Sequence, residues 1–181
     1  MMKMRDMALR GLFAALMAVC AWITVPVLDI AFTMQTFALF LSLLTLGGKG
    51  GTIVCLVYLL LGAVGLPVFS GFRGGMGALL GVTGGYIWGF PACALTYWAA
   101  TAAFGGKRFA RIIALLLGLT ICYGLGTVWY VIVYTQGGSA ISFGAVILKC
   151  VAPYLVPDGI KLILAMGLHR RLAGITNPSR A

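Results

Sequence analysis

The chain of 181 residues holds only three acidic side chains, Asp6, Asp29 and Asp158, and no glutamate. Asp6 lies in a basic N-terminal stretch and Asp29 in an expected loop. Asp158 differs, because Pro157-Asp158-Gly159-Ile160-Lys161 is set in otherwise apolar sequence. On a helix, residues three apart share a face, so the Asp158 carboxylate and the Lys161 ammonium are neighbours. A charge at the bilayer centre costs about 2.5–3.5 kcal/mol on insertion scales, so the pair needs a task. One task is contact with a polar ligand, for which a carboxylate accepts and an ammonium donates. The other is an ion pair that only neutralises itself. Pro157 is favoured in a first helical turn. That placement would set Asp158 at the positive end of the helix dipole.

Other chemistry is not supported by the residues. The five cysteines (Cys20, Cys55, Cys93, Cys122, Cys150) are spread singly in or beside apolar runs, with no CxxC, and are expected as small core residues. No His/Cys/Glu cluster suggests a metal. His169 adjoins Arg170 and Arg171 as an expected boundary residue, and the serines have no histidine near them in any span. Gly47-Gly48-Lys49-Gly50-Gly51-Thr52 lacks the Walker order, because Lys49 is followed by two glycines; a short basic turn is expected. The chain is therefore read as no enzyme, with no cofactor and no metal.

The elements that must position Asp158 and Lys161 follow from composition. The residues are 62% hydrophobic and 9% charged, and the mean hydropathy is +1.08. This is the composition of an all-α polytopic membrane protein, a single membrane domain over 1–181. The N-terminal apolar run is read as a first membrane helix rather than a signal peptide. Six transmembrane helices are expected, at about 8–28, 32–46, 53–66, 76–104, 110–134 and 157–172. The apolar stretch 140–152, closed by Pro153, is too short to span and is expected as a half-helix or surface helix. Ala14, Ala18 and Ala21 form a small-residue face on the first helix, for packing within the chain or against a partner. Gly77, Gly81, Gly85 and Gly89 form another stripe, unless Thr83-Gly84-Gly85-Tyr86 is a break that lines a pocket. Tyr86, Trp88, Tyr97 and Trp98 are expected as packing residues or interface anchors. The loop Leu66–Gly75 is glycine-rich yet apolar, a candidate lid that carries Phe69, Phe72 and Arg73.

Basic residues set the orientation. With both N- and C-termini cytoplasmic, ten of the 13 lysines and arginines lie inside: Lys3, Arg5, Arg10, Lys49, Lys107, Arg108, Arg111, Arg170, Arg171 and Arg180. Asp158, Lys161 and the Leu66–Gly75 loop then face the outer half of the membrane.

Three stretches resemble the BioY family, the biotin-specific substrate-binding (S) components of energy-coupling-factor (ECF) transporters. They are Gly65-Leu66-Pro67-Val68-Phe69-Ser70-Gly71, Gly81-Val82-Thr83-Gly84-Gly85-Tyr86 with Gly89-Phe90, and the Asp158/Lys161 pair beside Pro157. Val82 stands where the family usually has proline, and Gly159 follows rather than precedes Asp158. The resemblance implies a six-helix S component in the cell (plasma) membrane that captures biotin from outside. It implies partners too: a transmembrane coupling protein and two cytoplasmic ATPases, with Ala14 and Ala18 as the docking face. For the ligand it implies contacts from Asp158 and Lys161 to the ureido ring and carboxylate. Phe69, Phe72 and Tyr86 would wall the site, with Gln35 and Thr83 nearby, and Arg73 would steer the anionic tail. S components for thiamine or riboflavin, and a scaffold subunit without ligand, are the competing readings.

Overall fold

A segment away from water must satisfy its own backbone N–H and C=O groups, so long apolar runs become helices. The computed structural model describes residues 4–27, 30–136 and 142–176 and is built in this way. Helix α1 (Met4–Trp22) leads into an antiparallel hairpin of β1 (Thr24–Val27) and β2 (Ile30–Thr33). Then come α2 (Gln35–Ala63), a single 3-10 turn (Ser70–Phe72), α3 (Met76–Leu80) and α4 (Gly84–Phe104). Helices α5 (Arg108–Gln136), α6 (Phe143–Cys150) and α7 (Ala152–Thr176) complete the chain.

The helical stretch α2 is not one rod. At Gly47 the backbone takes φ 73° and ψ 176°, which glycine adopts readily, and the chain reverses. Gln35 Nε2 donates to the Tyr58 hydroxyl at 2.5 Å across a separation of 23 residues. A straight helix would hold those residues roughly 35 Å apart at 1.5 Å per residue. Leu43 packs on Gly51 for the same reason. The arms 35–46 and 48–63 thus form a helical hairpin, and the basic turn expected over Gly47–Thr52 narrows to Gly47 alone.

Three expected boundaries are corrected. The first span, expected over 8–28, ends at Trp22. Thr24, Val25 and Val27 are β-branched, Pro26 opposes helix, and the segment pairs as a strand with Val25 opposite Phe32. Among the described residues, a mainly helical fold therefore carries a short hairpin. The stretch 76–104 is broken at 81–83. Trp88 Nε1 donates to Leu79 O at 3.2 Å and Trp129 Nε1 to Gly81 O at 3.0 Å, so these indoles satisfy carbonyls beside the gap. The last helix begins at Ala152, not Pro157. Pro153 sits in its first turn, where a missing N–H is harmless, and Pro157 lies inside the helix. Asp158 is therefore beyond the first turn, and the dipole argument for it falls.

The two ends of the bundle differ. The reversal at Gly47, the connection after Phe104 and His169 lie together at one end. Gly48 is pressed against Trp98, and Thr45 Oγ1 lies 3.4 Å from His169 Nδ1. The hairpin, the Leu66–Gly75 loop, the gap at 81–83 and α6 lie at the other. Arg5, Arg10, Lys49, Lys107, Arg108, Arg111, Arg170 and Arg171 belong to the first end by their positions in these elements, and Arg73, Lys149 and Lys161 to the second. Lys3, Arg180 and Asp29 lie outside the described residues.

The main core has Met17, Phe40, Tyr58, Phe69 and Tyr97 at its centre, a smaller cluster joins Tyr130, Val146 and Cys150, and all five cysteines are buried and outside any disulfide. Helices α4 and α5 approach closely, because Gly89 faces Cys122 and Gly118 faces Cys93. A Cβ on Gly89 would lie 2.5 Å from Cys122 Sγ and 3.0 Å from its Cα. Gly89→Leu is expected to destabilise the detergent-solubilised protein by about 1–3 kcal/mol, as overpacking does. A thermal melt beside Gly124→Ala, where a Cβ meets nothing within 4 Å, is the check.

Candidate functional site

Between the hairpin, the loop and helices α2, α4, α5, α6 and α7 lies a cavity of about 300 Å³. One part of its polar wall is a network around the charged pair. Asp158 and Lys161 are 3% and 4% exposed. Lys161 Nζ donates to Asp158 Oδ1 at 2.6 Å, to Thr36 Oγ1 at 3.0 Å and to Thr33 O at 2.7 Å. An ammonium has three N–H groups, so all are engaged. Its charge also stands 4.0 Å above the Phe32 ring, a cation–π contact. Asp158 Oδ1 accepts a second bond from Thr36 Oγ1 at 2.8 Å, and Oδ2 accepts from the Tyr123 hydroxyl. The pair therefore sits in the cavity wall with every Lys161 N–H and both Asp158 oxygens hydrogen-bonded, held by residues of β2, α2, α5 and α7.

Seven of the eight expected binding residues line this one cavity: Asp158, Lys161, Gln35, Phe69, Arg73, Thr83 and Tyr86. Gln35 serves the wall itself. Its Oε1 accepts from Thr33 Oγ1 at 2.8 Å, its Nε2 donates to Tyr58, and the Tyr58 hydroxyl donates to Val68 O at 2.9 Å. This chain of bonds anchors the loop from beneath. Phe69 then seats edge-on against Tyr58 at 5.5 Å between ring centres, over Gly62, whose missing side chain makes room for the ring. Arg73 stays exposed at the mouth, its Nε donating to Ser70 O at 3.1 Å.

Two expectations are corrected. Phe72 does not wall the cavity. It is 64% exposed and stacks on Trp22 at 5.0 Å, while Trp22 Nε1 donates to Pro67 O at 2.8 Å. Phe72 thus clips the loop to α1 from outside. Ala14 and Ala18 point inward, 2% and 8% exposed, because α1 packs against α2 through that face. The outward side of α1 carries Gly11, Leu12, Ala15 and Val19 instead.

Sequence reasoning missed Thr33, Thr36, Tyr123, Phe90 and Tyr154 as lining residues. One signal was available for Tyr123, a hydroxyl deep inside an apolar run. Thr36 carried none, because threonine is common in membrane helices and its value comes from meeting α7.

A bundle of apolar helices that encloses a small cavity with one buried, hydrogen-bonded ion pair defines a ligand-binding helical membrane protein. Comparison with known proteins agrees. Residues 1–177 match the BioY family. A probable biotin transporter BioY from Pyrococcus horikoshii is 37% identical over 175 residues, covering 97% of this chain and 100% of that one. The biotin transporter BioY of Thermotoga maritima is 40% identical over 170 residues, 93% and 96% of the two chains. The fold superposes with a TM-score of 0.79 on a crystal structure of the S-component for biotin from an ECF-type ABC transporter, at 23% identity and over 95% and 94% of the chains. The chain belongs to the BioY family.

Removing one partner of a buried pair leaves an uncompensated charge. Lys161→Met is expected to destabilise the protein by about 3–5 kcal/mol. Adding Asp158→Asn to it should recover part of the loss in the same thermal melt.

Proposed function

We propose that this chain is the substrate-binding component that captures biotin from outside the cell and delivers it inward with an ECF module. The observation that carries this reading is the Asp158–Lys161 pair, buried in the wall of a cavity at the end opposite the basic cluster. The ureido ring of biotin presents two N–H donors and a carbonyl. Asp158 accepts from the ring, and the Lys161 ammonium, bonded to Oδ1, fixes the position of the carboxylate. The thiophane ring and valeryl chain lie along Phe69, Ile87, Phe90, Leu119 and Tyr154, with Thr83 in the gap between α3 and α4 and Tyr86 just after it. Arg73 at the mouth attracts the carboxylate of the valerate.

The charge distribution supports the orientation. Eight described cations gather at one end, the pattern of a cytoplasmic face. Six segments, α1, the two arms of α2, α4, α5 and α7, then cross the cell membrane with both termini inside, and the cavity opens outward. The basic end meets the coupling protein and the two ATPases, which supply the energy.

Equilibrium binding to the purified chain tests the reading. At 100 times its Kd, biotin is expected to stabilise the protein by about 2.7 kcal/mol. Asp158→Asn should lose most of that gain, and thiamine and riboflavin should give none. Stabilisation by another vitamin in place of biotin would reassign the ligand. Stabilisation by no vitamin would favour a scaffold.

A further inference from the structure

The hydrogen bonds to Asp158 are not equivalent. A carboxylate offers about four acceptor positions. The two on Oδ1 are taken by Thr36 and Lys161, which belong to α2 and α7, helices packed directly on each other. Thr36 is itself pinned, because its Oγ1 both donates to Asp158 and accepts from Lys161. Those two bonds are built into the wall. The bond to Oδ2 comes instead from α5, from the hydroxyl of Tyr123, whose half-buried ring lines the cavity. Oδ2 is therefore the carboxylate oxygen that the α2–α7 wall leaves to the cavity, and Tyr123 holds the position on it that a ligand donor arriving from the cavity meets.

We propose that Tyr123 is a competing donor: its hydroxyl engages the Oδ2 position that a ligand N–H takes, so that binding exchanges one donor for the other. This rests on the biotin reading and adds to it a residue that sets affinity. The physical logic is one of linkage. Without its hydroxyl bond, Oδ2 would be a buried, undersatisfied part of a charge, so Tyr123 stabilises the ligand-free protein. A contact that stabilises only the ligand-free form weakens binding by the same free energy. A compound with no N–H donor cannot replace the phenol, and so gains nothing by displacing it.

Tyr123→Phe tests the exchange. The variant is expected to melt lower than the unaltered chain without biotin, to converge with it at saturating biotin, and to bind biotin roughly tenfold more tightly. A ring-fluorinated tyrosine at 123, a stronger donor, is expected to shift affinity the opposite way and keeps the test open if Tyr123→Phe does not fold. A tyrosine that only supports the wall would lower both melts equally and leave Kd unchanged. One that contacts the ligand would weaken binding on loss of its hydroxyl. Either result, with biotin still bound by the unaltered chain, overturns this proposal alone. Absence of biotin binding by the unaltered chain overturns the functional reading together with it.

Discussion

A charge withdrawn from water has to be satisfied by the protein around it, and the Asp158–Lys161 pair imposes that condition on this fold. The pair alone leaves two ammonium protons and most of a carboxylate unmatched. Thr33 O, Thr36 and Tyr123 complete it, drawn from the hairpin, from the first arm of α2 and from α5. The hairpin is thereby more than a connection. It delivers the Thr33 carbonyl and the Phe32 ring to one side of Lys161. Burial of this kind rarely adds stability over an apolar core.

The same condition governs the backbone wherever the helices stop. Non-helical chain at membrane depth is tolerated where protein covers it and side chains meet its polar groups. The gap at 81–83 has the indoles of Trp88 and Trp129 beside it, and the loop after Leu66 has Trp22, Tyr58 and the Gly62 carbonyl, which accepts from Gly75 N at 2.7 Å. Irregular segments are thus held in defined places around the cavity. Meanwhile Gly89 and Gly118 draw α4 and α5 into contact, so the space left in the bundle lies on the α7 side, where the charges are.

Composition, the clustering of cations and the one acid–base pair in apolar sequence were enough to read a helical membrane bundle and to single out Asp158 and Lys161. Those are local properties: hydropathy, charge and a three-residue spacing on a helix. Helix ends were legible in places, as at Phe104, where the expected span and α4 end together. They failed at Pro157, because a proline within a helix and one that opens a helix read alike along the chain.

What depended on the assembled fold was which surfaces meet. Periodicity found the alanine stripe of α1 but not that Ala14 and Ala18 face inward, since a small residue suits any close approach. It placed Phe69 and Phe72 in one loop but not on opposite sides of it. Thr36, Tyr123 and the Tyr58–Gln35 link connect residues 23 to 125 positions apart. A hydroxyl or an amide acquires such a role only when packing brings its partner within about 3 Å, and local sequence carries no record of that distance.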